Sequence, residues 1–455
     1  MMKSQWFGIF FAVVPFIAAC GDDEPPPKES KAECSTTTGE GCEGGQVCEE
    51  VEGEKAQCFA PLTVSGRVFD LSNDASIEGA RVLARDVNGA ARSSVAVTDA
   101  QGRYALRVPA KRRADGSVAS QSITLRADAA GFLTFPLAPR VALPVELSDA
   151  GDDPPVLASA LTDVGLIRLP DAARGSISGR VLADDPGGTL VVAGSATGVA
   201  DARGDYAIFN VPEGSVSVSG YLPGVNLDTR EVTVVADEEE TDVDLDVISD
   251  ATATVSGTVQ IVNAPGGSLT SVILVVESTF VETTKRGEAP PGFRAAEVSG
   301  AWSIANVPDG SYVALAAFEN DGLVRDPDTS IGGTDIVHVE VNGADVPLDG
   351  FKVTEALGVV APGATEPETV SGAFDLSWAD DSSEDTYDLT VFDALGAVTW
   401  EQSGIVGPGG NDDVVVPYAG PALVPGMFYQ FRAVSIKDGV PISTTEDLKG
   451  VFTSQ

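Results

Sequence analysis

The residues that could carry out chemistry in this chain are few, and most of them are cysteines. The 455-residue sequence contains five cysteines and a single histidine, His338. Zinc hydrolases need several His and Glu ligands, and a serine or cysteine nucleophile needs a basic partner, so one histidine supports neither. The sequence also lacks a P-loop, a Gly-x-Ser-x-Gly turn and a dinucleotide fingerprint between a strand and a helix. We therefore expect a non-enzymatic protein without metal or cofactor, with a glycosidase-like carboxylate pair as the remaining catalytic alternative.

The first cysteine, Cys20, closes an apolar N-terminal segment. Lys3 supplies a positive charge, and residues 6–19 form an apolar run that is too short for a membrane span of about 20 residues. Residues 17–20, Ile-Ala-Ala-Cys, resemble the lipobox of bacterial lipoproteins. The resemblance implies a signal peptide over residues 1–19 and acylation of Cys20, which would hold the chain firmly to a bilayer. An ordinary secretory leader is the alternative.

The other four cysteines follow a tether. Residues 20–33 are acidic and proline-rich, which predicts an extended, mobile segment. The polar region 34–61 then contains Cys34, Cys42, Cys48 and Cys58. An exported chain meets an oxidising compartment, so an even number of cysteines predicts two disulfides, with three pairings open. Zinc is disfavoured because no Cys-x-x-Cys pair or nearby histidine is present. We expect a small four-cysteine knob.

A short pattern occurs three times along the chain, twice in full and once shortened. Each copy begins at a glycine that ends a turn, and an aromatic and an aliphatic residue then share one face of a strand. The full copies continue with Asn-Val-Pro-x-Gly, which breaks the strand because proline has no N–H to donate. A Ser-Gly-x-Val segment precedes each copy, so the pattern predicts repeated small β-domains. The copies are residues 102–109, 204–214 and 300–310, and the preceding segments are residues 65–68, 178–181 and 256–259.

The order of these segments resembles the carboxypeptidase regulatory-like domain. In the first copy the matching residues read S-G-x-V, G-A-x-V and T-D-x-x-G-x-Y, between positions 65 and 104. The resemblance implies a transthyretin-like sandwich, a fold that is also grouped with carbohydrate-binding modules. It implies three such domains, at residues 62–170, 175–249 and 252–357. Residues 281–295 are an insertion in the third domain, and we expect this insertion to be a variable binding loop.

The last part of the chain departs from the repeated pattern. Residues 361–368 are rich in Pro and Gly and predict a linker. Beyond them, Trp378 lies in an alternating strand and Tyr429 follows Leu-x-Pro-Gly, which resembles a fibronectin type III sandwich with its tyrosine corner. Residues 369–455 are therefore expected to form a fourth sandwich. The predicted fold is all-β, with tandem small β-sandwiches (three carboxypeptidase regulatory-like repeats plus one fibronectin type III-like sandwich) behind a disulfide-stapled knob.

The formal net charge is −40, and it is spread over most of the chain. Because no basic stripe is present, nucleic acid is excluded as a partner. The acidic cluster 237–240 and the alternating Asp242, Asp244 and Asp246 are expected on solvated faces, with calcium binding as the alternative. His338 alternates with apolar residues, so we expect it on the solvent face or edge of a strand.

These observations predict a non-enzymatic protein that is anchored by lipid to the bacterial cell envelope. The expected location is the outer membrane, with the protein facing the periplasm or the outside. Its expected role is that of a structural or adhesive stalk, a row of sandwiches that presents a surface to protein partners. A carbohydrate-binding lipoprotein is the first alternative, although aromatic residues, the usual sugar-stacking surface, are only 6% of the chain. An accessory subunit of an envelope complex is the second. Fold alone does not choose among them, nor between an envelope protein and a polysaccharide as the partner.

Overall fold

The structure is a computed structural model that describes residues 34–36, 41–151, 153–328, 336–381, 383–409 and 412–454. Within these residues the regular elements are β-strands and three short 3-10 turns. The predicted all-β fold class is confirmed. The described part of the chain contains no helix that is long and apolar enough to cross a membrane. The predicted signal peptide and tether, including Cys20, lie outside the described residues.

The N-terminal knob is a two-stranded antiparallel hairpin, β1 (Val47–Glu49) and β2 (Gln57–Phe59). Both predicted disulfides are present, which defines the pairing that the sequence left open. They join Cys34 to Cys48 and Cys42 to Cys58. Because all four sulfur atoms are in disulfides, none of them is a thiolate that could bind zinc.

Unit 1 (residues 62–170) is built from two sheets that share one apolar core. Its elements are β3 (Leu62–Asp70), β4 (Arg81–Arg85), β5 (Ala96–Val97), β6 (Arg103–Val108), β7 (Ser122–Asp128), β8 (Val145–Glu146), β9 (Val156–Leu157), β10 (Val164–Leu166) and the 3-10 turns Leu147–Asp149 and Ala160–Thr162. One sheet has the order β10-β3-β6, with β9 beside β3, and the other has the order β5-β4-β7-β8.

Unit 2, expected at residues 175–249, begins one residue earlier with its first strand; it is smaller, and its sheets are continuous with each other. Its strands are β11 (Arg174–Leu182), β12 (Leu190–Ala193), β13 (Ala196–Val199), β14 (Asp205–Pro212), β15 (Gly214–Leu222), β16 (Val225–Leu227), β17 (Arg230–Val234), β18 (Glu239–Glu240) and β19 (Leu245–Ser249). The strand order is β13-β12-β15-β16-β19-β11-β14, so the β16–β19 pair connects the two layers.

Unit 3 (residues 252–357) again has two sheets. Its elements are β20 (Ala253–Ile261), β21 (Thr270–Val276), the 3-10 turn Glu277–Thr279, β22 (Arg294–Val298), β23 (Ala301–Val307), β24 (Gly310–Ala316), β25 (Leu323–Arg325), β26 (Val337–Val341), β27 (Val346–Pro347) and β28 (Phe351–Glu355). The sheet orders are β23-β20-β28-β25 and β22-β21-β24-β26.

Unit 4 is a separate sandwich around Trp378 and Tyr387, which are fully buried. Its strands are β29 (Val359–Ala361), β30 (Glu368–Val370), β31 (Asp375–Trp378), β32 (Thr386–Asp393), β33 (Val398–Ile405), β34 (Val414–Pro417), β35 (Phe428–Lys437), β36 (Val440–Thr444) and β37 (Val451–Ser454). The sheet orders are β29-β31-β34 and β30-β37-β35-β32-β33. The backbone N–H of Val424 donates to the Tyr429 hydroxyl at 2.9 Å, the contact expected of a tyrosine corner.

The three repeated units share one strand arrangement. In each of them the strand with Ser-Gly-x-Val pairs antiparallel with the strand of the aromatic motif and parallel with a late strand of the unit. These triplets are β6-β3-β10, β14-β11-β19 and β23-β20-β28. The tandem repeat that the sequence predicts is therefore present as repeated topology.

In units 1 and 2 the motif tyrosine explains the glycine of Ser-Gly-x-Val. The Tyr104 hydroxyl donates to the Thr162 carbonyl at 2.6 Å, and the Tyr206 hydroxyl donates to the Val243 carbonyl in the same way. At Gly179, a Cβ atom would overlap that Val243 carbonyl oxygen. The glycine thus leaves room for the returning segment to approach the strand and accept the tyrosine hydrogen bond.

Replacing Gly179 with alanine should lower the free energy of unfolding by about 1–3 kcal/mol, because the added methyl group meets backbone atoms that cannot rotate away. Gly266→Ala is the matched control, since a Cβ atom at Gly266 would have no neighbour within 4 Å. Thermal unfolding followed by circular dichroism measures both variants. Equal midpoints for the two variants would contradict this account of the motif.

Candidate functional site

Among the described residues, the densest polar chemistry lies where the units meet. In each of the three turns that follow β7, β15 and β24, one glycine donates its backbone N–H to the next unit. These glycines have positive φ angles of 78°, 89° and 86°. We name Gly131, Gly224 and Gly322 the junction glycines. The acceptors are Asn210 Oδ1 for Gly131 (2.6 Å), Asn306 O for Gly224 (2.9 Å) and Glu446 Oε1 for Gly322 (2.6 Å). Each unit is therefore fastened to the next at an equivalent place.

The asparagine of Asn-Val-Pro has a role that its position in a turn does not reveal. Asn210 is in the left-handed conformation, with φ at 62°. Its side-chain Nδ2 donates to the carbonyls of Ala129 (3.0 Å) and Phe132 (2.9 Å) in unit 1. The sequence predicts only a strand break here. In the structure the same residue closes the turn and clamps unit 2 to unit 1.

The contact between units 2 and 3 uses a second asparagine. Asn226 is buried; its Oδ1 accepts from the Asp309 backbone N–H at 2.7 Å, and its Nδ2 donates to the Ala251 carbonyl at 2.7 Å. Beside it, the rings of Tyr221 and Tyr312 pack edge to face with 5.7 Å between centroids. The amide is thus satisfied at both ends, which removes the cost of burying it.

The knob is attached to unit 1 by a buried ion pair. Arg112 Nε lies 2.5 Å from Glu49 Oε2, and both side chains are almost inaccessible to solvent. Glu49 Oε1 also accepts from the Ala110 backbone N–H at 3.0 Å. Burial raises the pKa of Glu49, although the Arg112 guanidinium and the Ala110 N–H oppose that rise. The disulfide knob is therefore docked on the first sandwich.

Arg126 joins three units at one point. Its side chain is fully buried and pairs with Asp128 of its own unit, with Nε 2.9 Å from Oδ2. Its Nη2 donates to Thr197 Oγ1 of unit 2 at 3.0 Å, and its Nη1 lies 3.5 Å from Glu288 of unit 3. Burial opposes the charge, but the two carboxylates outweigh it and raise the pKa of Arg126.

Asp447 joins units 3 and 4. Here one carboxylate is shared by three arginines, whereas at Arg126 one guanidinium is shared by two carboxylates. Asp447 is buried, and its oxygens lie 2.7 Å from Arg325 Nη2, 3.0 Å from Arg432 Nη2 and 3.7 Å from Arg286 Nε. Burial works against the ionised form, but the guanidinium groups outweigh it and hold the pKa of Asp447 below its ordinary value. Arg286 and Arg325 belong to unit 3, so this carboxylate fixes the position of unit 4.

The last unit also returns to the first. The Arg140 guanidinium of unit 1 lies over the Phe428 ring of unit 4, 4.8 Å from its centroid. Units 1 and 3 already meet at Arg126. The four units are therefore folded back on one another, whereas the sequence suggested a simple row. A cleft of about 440 Å³ opens between them, and every unit lines it, for example with Thr134, Phe209, Thr284 and Leu395.

The insertion at residues 281–295, which the sequence predicts as a variable binding loop, packs between the units over part of its length. Phe293 is 1% exposed, and Arg286 is buried against the Phe318 ring at 3.7 Å from its centroid. Glu288 of the same segment faces Arg126. The apolar and charged residues of the insertion fill the space between units, which is why it packs inside the assembly.

The other predicted site residues are ordinary surface groups. His338 is exposed on β26, as predicted, and its Nδ1 lies 2.6 Å from Glu277 Oε1. In the acidic strand, Asp246 pairs with Arg230 at 2.9 Å and Asp244 Oδ1 accepts from the Arg180 backbone N–H at 2.8 Å. No Phe, Tyr or Trp is among the exposed large apolar side chains of the described residues. The aromatic rings of the described residues are buried or half-buried.

No protein-family model and no curated protein matches the chain. Among solved structures, it is similar to the TIE protein of Bacillus anthracis, with 12% identity over 90% of this chain and 72% of that one, at a TM-score of 0.17. It is also similar to BcpA, the major pilin subunit of Bacillus cereus, with 11% identity over 65% of this chain and 100% of that one, at 0.18. A streptococcal ancillary pilin matches at 10% identity over 59% of this chain and 94% of that one, at 0.17. Similarity at this level carries no argument about function.

Replacing Asp447 with asparagine should destabilise the protein by about 3–5 kcal/mol at pH 7, because several buried arginines lose their shared counter-charge. The wild-type carboxyl has a lowered pKa, so its stabilising effect is complete above the ordinary aspartate pKa of about 3.9 and is lost as the pH falls through the lower, folded-state value. The deficit of the variant should therefore shrink in acid.

Urea denaturation between neutral and strongly acidic pH measures this difference. Asp412→Asn, an exposed carboxylate in the same unit, is the matched control and should remain close to wild type throughout. A deficit for Asp447→Asn that is the same at every pH would show that the asparagine disturbs packing alone and that the charge of Asp447 is not responsible.

Proposed function

We propose that this chain is a non-enzymatic, lipid-anchored protein of the bacterial cell envelope that acts as a structural or adhesive stalk. The observation that carries the proposal is the set of directional contacts between units, made at the junction glycines and by the buried charges of Arg126 and Asp447. Burying a charge costs several kcal/mol unless its partners hold one geometry, so these contacts favour a single arrangement of the units. The stalk is accordingly a compact, stiff body and not a set of flexibly linked domains.

The lipid anchor follows from residues 17–20 and from their position ahead of an acidic, proline-rich tether. Acyl chains on Cys20 would place the knob near a membrane and the packed units beyond it. The body would then display its acidic surface within the reach of that tether from the bilayer. Adhesion is favoured by such a body, because a stiff body holds its contact surface ready and loses little conformational freedom on binding.

Cys20→Ala should abolish incorporation of labelled palmitate and move the protein from the membrane fraction to the soluble fraction of the expressing bacterium. The physical reason is the loss of the only thiol that the lipobox would present for acylation. Ala19→Ser, which keeps the cysteine and a small preceding residue, is the matched control and should stay in the membrane fraction. Unchanged membrane retention of Cys20→Ala would overturn the anchor.

The partner is proposed to be an envelope protein, because sugar binding would call for exposed aromatic rings. The mature Cys20→Ala chain would be immobilised and offered detergent-solubilised envelope proteins and, separately, purified envelope polysaccharide. An unrelated protein of comparable negative charge is the control for ionic adsorption. Retention of one or a few proteins alone is the expected result. Saturable retention on polysaccharide that free sugar competes away would overturn the proposal in favour of a carbohydrate-binding lipoprotein.

A further inference from the structure

A second cavity, of about 320 Å³, opens where units 1, 3 and 4 meet, and we name it the arginine cavity. Three arginines line it, Arg85, Arg140 and Arg286. The remaining wall is largely apolar and includes Val87, Leu137, Phe318 and Leu448. In a chain with a net charge of −40, three arginines around one small cavity are an unusual local excess of positive charge.

Two of these arginines are poorly compensated. The Arg85 guanidinium makes no hydrogen bond or ion pair with any described residue, and its buried Nε has no partner. Arg140 donates to a backbone carbonyl, that of Gly165, at 2.8 Å and otherwise lies over the rings of Phe135 and Phe428. Burial lowers the pKa of Arg140 to about 10, which indicates how little negative charge offsets its desolvation.

Arg286 is the most buried of the three, with 7% of its side chain exposed. Its Nη2 donates to the Phe318 carbonyl at 2.6 Å. Its Nε has no hydrogen-bond partner, and the nearest carboxylate, Asp447, lies 3.7 Å away and is shared with two other arginines. Burial lowers the pKa of Arg286 to about 10, although Asp447 opposes that fall.

The two carboxylates at the wall of the cavity are already engaged. Asp86 Oδ1 accepts the backbone N–H groups of Asn88 at 2.8 Å and Ala90 at 3.0 Å, so it closes its own turn. Glu288 faces the fully buried Arg126 at 3.5 Å. The arginine cavity therefore keeps a positive excess that the protein itself does not neutralise.

We propose that the arginine cavity binds a small organic anion, namely a carboxylate attached to a compact apolar group. Guanidinium groups match the two oxygens of a carboxylate, and the terminal nitrogens of Arg85 and Arg140 are the groups that would reach it. The apolar wall suits the body of such a ligand, and the volume lies at the lower end of the range of about 300–1,000 Å³ for ligand pockets. This inference is independent of the proposed role as a stalk.

The test uses phenylacetate as the probe and phenylacetamide, its neutral counterpart, as the matched ligand control. Isothermal titration calorimetry at low salt with the mature Cys20→Ala chain should show saturable binding of phenylacetate that is at least about tenfold tighter than that of the amide. Arg85→Gln should weaken phenylacetate binding by about tenfold, because one charge-assisted hydrogen bond is lost. Arg113→Gln, at an exposed arginine of the same unit, should leave the affinity unchanged.

Arg140→Gln is a second variant with the same expected loss, and near-ultraviolet circular dichroism confirms that each variant keeps its tertiary packing. Absence of saturable phenylacetate binding up to about 10 mM would overturn the proposal, since it leaves less free energy than a specific pocket supplies. Equal affinities for acid and amide would overturn it as well. So would undiminished binding in folded Arg85→Gln and Arg140→Gln.

Discussion

The pairing of buried guanidinium groups with buried carboxylates across unit boundaries is the constraint on which the rest of this structure depends. Arg126 holds units 1, 2 and 3 at one point, and Asp447 holds unit 4 against unit 3. Removing one partner of such a buried pair costs about 3–5 kcal/mol because the other charge is left in a medium of low polarity. That is a large part of the roughly 5–15 kcal/mol that stabilises a typical domain. Separating the units would therefore cost a large part of the free energy that stabilises a typical domain.

This constraint also explains how the charge of the chain is distributed. The chain has 28 basic and 68 acidic residues, yet Arg126, Arg286 and Arg325 are buried at contacts between units. Carboxylates such as Asp128 and Asp447 are buried with them, so the acidic excess of the composition remains at the surface. A surface of one sign keeps molecules apart in solution and disfavours anionic polymers. The arginine cavity is the exception, because there the positive groups outnumber the free carboxylates that face them.

The repeated motif makes contacts both within a unit and between units. Within a unit, its tyrosine fastens the strand to the returning segment, as Tyr104 does at Thr162. Between units, its asparagine reaches the neighbour, as Asn210 does at unit 1 and Asn306 does at Gly224. The first copy lacks the asparagine, and there the segment after the motif docks on the knob through Ala110 and Arg112. Consecutive docking of this kind lets tandem units form a defined assembly without long linkers.

The sequence by itself determined the all-β class, the repeated strand pairs, the large ring at the motif position and the two disulfides. Each of these depends on neighbours along the chain, on the period of a strand or on the parity of the cysteines, so local pattern is sufficient. Only the tertiary structure decided how the units pack. Arg126 and Glu288 are 162 residues apart, and Arg325 and Asp447 are 122 apart, so no spacing rule connects them. For the same reason, the sequence could not show that the insertion at 281–295 packs against the neighbouring units. In a sequence, charged residues are expected at the surface. Only the folded chain brings their partners close enough to offset the cost of burying them.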